Sequence, residues 1–211
     1  MTALDHVLLG DRPLVVCDVD DVVLHFIGPF QSYLDSLGHR LLPRSFKLHG
    51  NIVSAADEAP LCDVSVTAVI AGFFDQQERW QKADPDAGEA LRMLATRADV
   101  VFLTAMPPIY HEQRRRLLDS LGLHYPLISS REPKGPLVAR LHAGRAQPVA
   151  FIDDMAYNLV SVQEHVPECL LVHIVPQSDI HQFAPPTPAE AKRAEDWSHV
   201  QSVIQSHFAA C

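Results

Sequence analysis

Short unbroken apolar runs alternate along this chain with stretches whose apolar positions recur every three or four residues. The runs Leu14–Cys17, Asp99–Leu103, Leu127–Ser129, Val149–Ile152 and Leu170–Val175 predict strands buried on both faces, as a parallel sheet requires. Helical spacing between them predicts helices near Pro108–Leu121, stopped by Gly122, near Pro136–Leu141 and near Ala156–His165. This alternation predicts an α/β fold, a Rossmann-like parallel sheet sandwiched by helices.

About eighty residues separate the first two strands, far more than a crossover helix uses. They carry helical patterns of their own, Phe30–Leu37 closed by Gly38 and Val64–Trp80 with the pair Phe73-Phe74. Asp84-Pro85 reads as an N-cap followed by proline at the first helical position, opening the helix back to the sheet. The expected division is an α/β core domain, residues 1–27 and 84–211, and a small, mostly helical cap insertion, residues 28–83. In the tail, Thr187-Pro188-Ala189-Glu190 reads as a capping box. Trp197, Val200, Ile204 and Phe208 then follow at helical spacing and predict a helix packed on the core.

A hydrophobic fraction of 47% and a charged fraction of 20% fit a folded domain with a substantial core and argue against disorder. No apolar run approaches the roughly 18 residues of a membrane span. Met1–His6 lacks the basic flank and apolar run of a secretory leader, so a cytoplasmic protein is expected. Cysteines 17, 62, 169 and 211 have neither CxxC nor zinc-site spacing, which fits a reducing compartment. The formal charge of −9 works against nucleic-acid polymers, whose binding requires an excess of basic residues. It leaves room for a small phosphorylated metabolite held by one metal and one lysine. The cluster Arg114-Arg115-Arg116 reads as a solvated helix face.

In a parallel sheet the strand C-termini share one edge, where ligands bind. On this chain that edge presents Asp18-Val19-Asp20-Asp21, then Thr104, then Asp153-Asp154 with Asn158 four residues on. Lys134 opens a helical pattern beyond the third strand. Several carboxylates at one edge resist ionising together unless a cation joins them, and magnesium takes such oxygen ligands. A lysine and a hydroxyl supply the charge and the donor that a phosphate needs. The inventory suits phosphoryl transfer.

With these residues in order, each at its predicted strand end, the chain resembles the phosphatase branch of the haloacid dehalogenase superfamily over about residues 13–30 and 85–176. The resemblance implies a magnesium-dependent phosphomonoester hydrolase. Asp18 would attack phosphorus to give an aspartyl-phosphate, and Asp20 would serve as general acid and base. Thr104 and the backbone N–H of Ala105 would hold phosphoryl oxygens, and Lys134 would neutralise charge. Magnesium would be held by Asp18, the backbone carbonyl of Asp20, and Asp154, with Asp153 acting directly or through a water. Asn158 would orient that loop. Where relatives continue with glycine and threonine, this chain has Asp21-Val22; Asp21 reads as a solvated acid, with contact to the cap or to metal-bound waters as the alternative. The cap, with aromatics near the first motif, is similar to that of the 5′-deoxyribonucleotidase group, which implies base stacking on Phe26 or Phe30. A phosphomutase on the same scaffold and a non-catalytic binding module remain as alternatives.

Overall fold

The computed structural model describes residues 4, 6–176 and 178–210; Met1–Ala3, Asp5, Gln177 and Cys211 lie outside them. The five apolar runs form strands β1 (Leu14–Cys17), β4 (Asp99–Thr104), β5 (Leu127–Ser129), β6 (Val149–Asp153) and β7 (Leu170–Ile174). A sixth strand, β8 (Lys192–Ala194), extends the sheet to the order β5-β4-β1-β6-β7-β8, with every pairing parallel. The chain runs outward from β1 to β4 and β5, then returns to the other side of β1 as β6. The crevice beside β1 is therefore a topological switch point.

Strand side chains alternate between two buried faces. Val15, Cys17, Phe102 and Ile152 pack with α4 (Ala87–Ala95), α5 (His111–Ser120) and α8 (Trp197–Ala210). Leu14, Val16, Leu103 and Phe151 pack with α6 (Lys134–His142) and α7 (Ala156–His165) on the other side. Gly122, with φ +73°, ends the α5 segment as its sequence predicts.

Between β1 and β4 lie α1 (Ile27–Ser36), an antiparallel hairpin of β2 (His39–Leu41) and β3 (Ile52–Ser54), α2 (Asp63–Asp75) and α3 (Gln77–Trp80). These pack on a core of their own, built around Phe30, Leu34, Ile52, Val66 and Phe73. The hairpin was not foreseen: three-residue strands are too short to show a period of two.

Two helix starts differ from expectation. Thr187–Glu190 is not helical; it leads into β8, and Glu190 instead accepts a hydrogen bond from Gln163. The tail helix starts at Trp197, capped by Asp196, which accepts from the backbone N–H of His199 at 2.8 Å. Asp84 likewise closes a turn by accepting from the Asp86 N–H, and α4 begins three residues after it, at Ala87.

Candidate active site

The C-terminal ends of β1, β4 and β6 lie side by side, because Cys17 pairs in register with both Phe102 and Ile152. The next residues on these strands bring Asp18, Thr104, Asp153 and Asp154 together, and all four are buried. Lys134, the first residue of α6, enters from the third side. Its Nζ lies 2.8 Å from Asp18 Oδ1 and 2.6 Å from Asp153 Oδ2. α6 can come this close because Gly135 packs directly on α7; a Cβ there would stand 2.1 Å from the Ser161 carbonyl oxygen.

Asp18 Oδ1 also accepts from the Val19 N–H at 2.7 Å. Its Oδ2 has no hydrogen-bond partner among the described residues, and Asp18 lines the adjoining cleft. Burial pushes the Asp18 carboxyl up to about 7, with Asp153 adding to the shift and Lys134 opposing it. Burial alone would depress Lys134, but Asp153 and Asp18 more than offset this and hold it charged. Asp154 is pushed well above the carboxylate range by burial and by Asp153, Asp18 and Asp21.

The two adjacent acids have different surroundings. Asp153 accepts from the Met155 N–H, from Lys134 and, through both oxygens, from Asn158. It is saturated with donors. Among the described residues the Asp154 side chain has one hydrogen-bond partner, Nε2 of His181 at 3.3 Å from Oδ2, while its backbone carbonyl meets the ring of His173 at 3.0 Å. Burial and His173 push His181 down to about 4, so its ring is neutral at pH 7 and this is a hydrogen bond rather than an ion pair. The carboxylates of Asp18, Asp153 and Asp154 lie within 4.8 Å of one another. Three buried acids share one lysine, so ionising all of them needs a further positive charge, which a hard cation with oxygen ligands fits. Asp154 keeps an oxygen open to it among the described residues, with the Asp18 carboxylate beside it. The side chain of Asp20 lies outside this cluster.

Thr104 Oγ1 accepts from the Met106 N–H at 3.2 Å, which leaves its own proton to donate; Ala105 lies exposed on the cleft beside it. The cleft holds about 340 Å³ between the strand ends and the insertion. Phe26 lines it; Phe30 does not, being wholly buried in the insertion's core, where its ring stacks 5.5 Å from that of Phe26.

Two further expectations are corrected. Asp21 is not a solvated acid: with φ +53°, it accepts from the N–H groups of Phe26 and Ile27 and so caps α1. Burial pushes it up to about 6. The arginine cluster is a solvated face only at Arg116, which is exposed. Arg114 is 0% exposed and donates to Asp20 Oδ1 at 2.9 Å; Arg115 donates to the carbonyls of Leu123 and Tyr125, and Arg116 pairs with Glu78. The signal was available, since Arg114 shares the i, i+3, i+4 stripe with Leu117 and Leu118, the buried side of α5. His181 and Gln81, which also contacts Asp20, had no distinguishing sequence context.

No protein-family model matches the chain, and no curated protein matches it in sequence. Solved structures do. A haloacid dehalogenase-like family hydrolase from Xanthomonas campestris is 13% identical with TM-score 0.58, covering 94% of this chain and 97% of its own. A haloacid dehalogenase family hydrolase from Deinococcus radiodurans, solved with bound phosphate and sodium, is 15% identical with TM-score 0.60, covering 92% and 95%. YfnB, a hydrolase of the same description from Bacillus subtilis solved with magnesium, is 12% identical with TM-score 0.60, covering 92% and 98%. Strand order, switch point and these near-full-length matches agree: the chain has the haloacid dehalogenase-like fold.

Proposed function

We propose that this protein hydrolyses small phosphate monoesters through a covalent aspartyl-phosphate on Asp18. One observation carries the reading: Lys134 and the Val19 N–H fix Asp18 Oδ1, while Oδ2 is left open on the cleft beside a second, separately held acid, Asp20. A nucleophile needs this arrangement, one oxygen clamped and the other free, to approach phosphorus in line.

Asp18 Oδ2 forms the new P–O bond as the ester P–O bond breaks, and Asp20 gives its proton to the departing alcohol oxygen. Asp20 then takes a proton from a water whose oxygen attacks the acyl phosphate, freeing Asp18 and inorganic phosphate. Thr104 Oγ1 and the Ala105 N–H donate to phosphoryl oxygens, and Lys134 balances the charge that gathers beside Asp18. Asp153, with every oxygen occupied, keeps Lys134 and Asn158 in place. Magnesium, held by Asp18, Asp154 and the backbone carbonyl of Asp20, would supply further neutralisation of the phosphoryl charge.

The cleft favours an alcohol with a flat apolar part. Phe26, Phe46, Leu48, Phe74, Met106 and Tyr157 form its walls, and among the described residues Lys47 is the one lysine or arginine lining it beyond the catalytic group. A sugar phosphate would bury several hydroxyls against these mostly apolar walls, at a cost wherever one finds no partner. A nucleoside monophosphate or an aryl phosphate would stack its ring on Phe26. The test is turnover with magnesium on matched panels of nucleoside monophosphates, aryl phosphates and sugar phosphates, with Asp18→Asn as control. Activity confined to sugar phosphates would sink the substrate class; wild-type turnover by Asp18→Asn would sink the mechanism.

A further inference from the structure

The orientation of Asp20 is set by residues outside the catalytic cluster. Oδ1 accepts from Arg114 Nη2 at 2.9 Å and from Gln81 Nε2 at 2.8 Å. Arg114 also donates through Nη2 to Gln81 Oε1 at 3.0 Å and through Nε to Gln77 Oε1, while its Nη1 is buried with no hydrogen-bond partner among the described residues. Arg114, Gln77 and Gln81 are all buried.

A buried guanidinium is costly unless a counter-charge and acceptors meet it. Among the described residues, Arg114 forms its salt bridge with Asp20. The remaining acceptors are neutral amides from α3 and its C-terminal flank, in the insertion. Arg114 itself sits on α5, in the core. Asp20 is thus gripped from both parts of the molecule by donors that converge on one oxygen. Oδ2 is left without a partner among the described residues, and Asp20 lines the cleft.

We propose that Arg114 is a positioning residue for the general acid and base, fixing Oδ1 so that Oδ2 meets the leaving oxygen, with Gln81 as its second support. The proposal rests on the reading of Asp20 as the proton donor. Seating the insertion on α5 completes the Arg114 site, so the same contact that covers the cleft aims Asp20.

A residue that merely holds the fold would, when replaced, slow every ester alike. One that aims a general acid matters most when the alcohol leaves poorly, because an acidic phenol departs without a proton. The experiment compares kcat/KM, which reports the alcohol-releasing step, for an alkyl phosphate and for 4-nitrophenyl phosphate with magnesium. The proteins are wild type, Arg114→Met, Gln81→Met and Asp20→Asn. Arg114→Met fills the buried space without donors, and Gln81→Met leaves the Arg114–Asp20 pair intact should Arg114→Met fail to fold. The expected result is a fall of about 100-fold on the alkyl ester against less than about 10-fold on the aryl ester for Arg114→Met, with the same trend, smaller, for Gln81→Met. Asp20→Asn should steepen the dependence at least as much. Equal losses on both esters in the folded Arg114 or Gln81 variants, with Asp20→Asn steep, would overturn the positioning role. A flat dependence in Asp20→Asn would overturn the acid–base reading beneath it.

Discussion

Asp21 offers a direct test of the electrostatics beside the nucleophile. Its carboxyl is pushed from an ordinary value of 3.8 up to about 6, first by burial and then by Asp20, against the two backbone N–H groups it accepts from. The folded protein therefore holds that proton across a pH range in which the unfolded chain has released it. Between about pH 4 and 6 the native state binds more protons, so its stability falls as pH rises through this window. A shift of about 2 units at about 1.4 kcal/mol each sets a ceiling near 3 kcal/mol on the cost of ionised Asp21 at neutral pH. The substitution Asp21→Asn keeps an oxygen for Phe26 and Ile27, and an asparagine tolerates the left-handed backbone at φ +53°. It loses the charge and brings an amide NH₂ that must find its own partner. The expected gain at pH 7.5 is about 1–2 kcal/mol, or roughly 2–8 °C in Tm for a protein of this size, shrinking to nothing near pH 4. Thermal unfolding of wild type and variant across pH 4–8 in chelator measures it. A variant less stable at pH 7.5, or a gain that does not change with pH, would refute the reasoning.

Three further outcomes are expected. Gly135→Ala drives a methyl into the Ser161 backbone, so α6 must shift; urea titration should show a loss of about 2 kcal/mol or more, and turnover should fall with it because Lys134 moves. Lys134→Met strands Asp18 and Asp153 together without a counter-charge, which should cost about 3–5 kcal/mol in the same titration and abolish turnover. Trp197→Ala, deep in the face covered by α8, should cost about 3–5 kcal/mol by denaturant unfolding and leave KM unchanged, since it does not line the active-site cleft.

The main sheet was legible because its strands are buried on both faces, and such strands write themselves as apolar runs; β1 and β5 match theirs residue for residue. β8 was not, since Lys192-Arg193-Ala194 sits at the sheet edge with two exposed side chains and has no apolar signature. Thr187-Pro188-Ala189-Glu190 shows the complementary failure. Its local chemistry favours a helix start, but pairing of Lys192–Ala194 with β7 holds the following segment extended, and tertiary context wins. At the site, strand ends announced Asp18, Thr104 and Asp153-Asp154, whereas Arg114 was hidden by its neighbours. Arg115 is half-buried and Arg116 exposed, and a run of three like charges reads as one face although a helix turns about 100° between them.

The pair Asp153-Asp154 shows how strand parity separates residues that composition cannot. Val149, Phe151 and Asp153 share one face of β6, the face covered by α6 and α7, and Asp153 accordingly meets Lys134 of α6 and Asn158 of α7. Val16 and Asp18 share that face on β1, which is why one lysine reaches both acids. Asp154, one residue past the strand, falls out of this phase; among the described residues its side chain meets His181 alone and keeps an oxygen open. Asn substitutions at the two positions should therefore fail in different ways. Asp153→Asn removes the partner that holds Lys134 and should lower metal-free stability by about 3 kcal/mol. Asp154→Asn removes an acid that burial already keeps well above its ordinary range, so metal-free stability should hold or rise. Saturating magnesium should stabilise the wild type by about 2.7 kcal/mol at a hundredfold excess over its Kd, and Asp154→Asn should lose this increment while Asp153→Asn retains part of it. Thermal shifts with and without magnesium separate the two. If both variants lost the magnesium increment equally at unchanged metal-free stability, Asp153 would be a ligand on the same footing as Asp154, and the division of labour drawn from strand parity would be wrong.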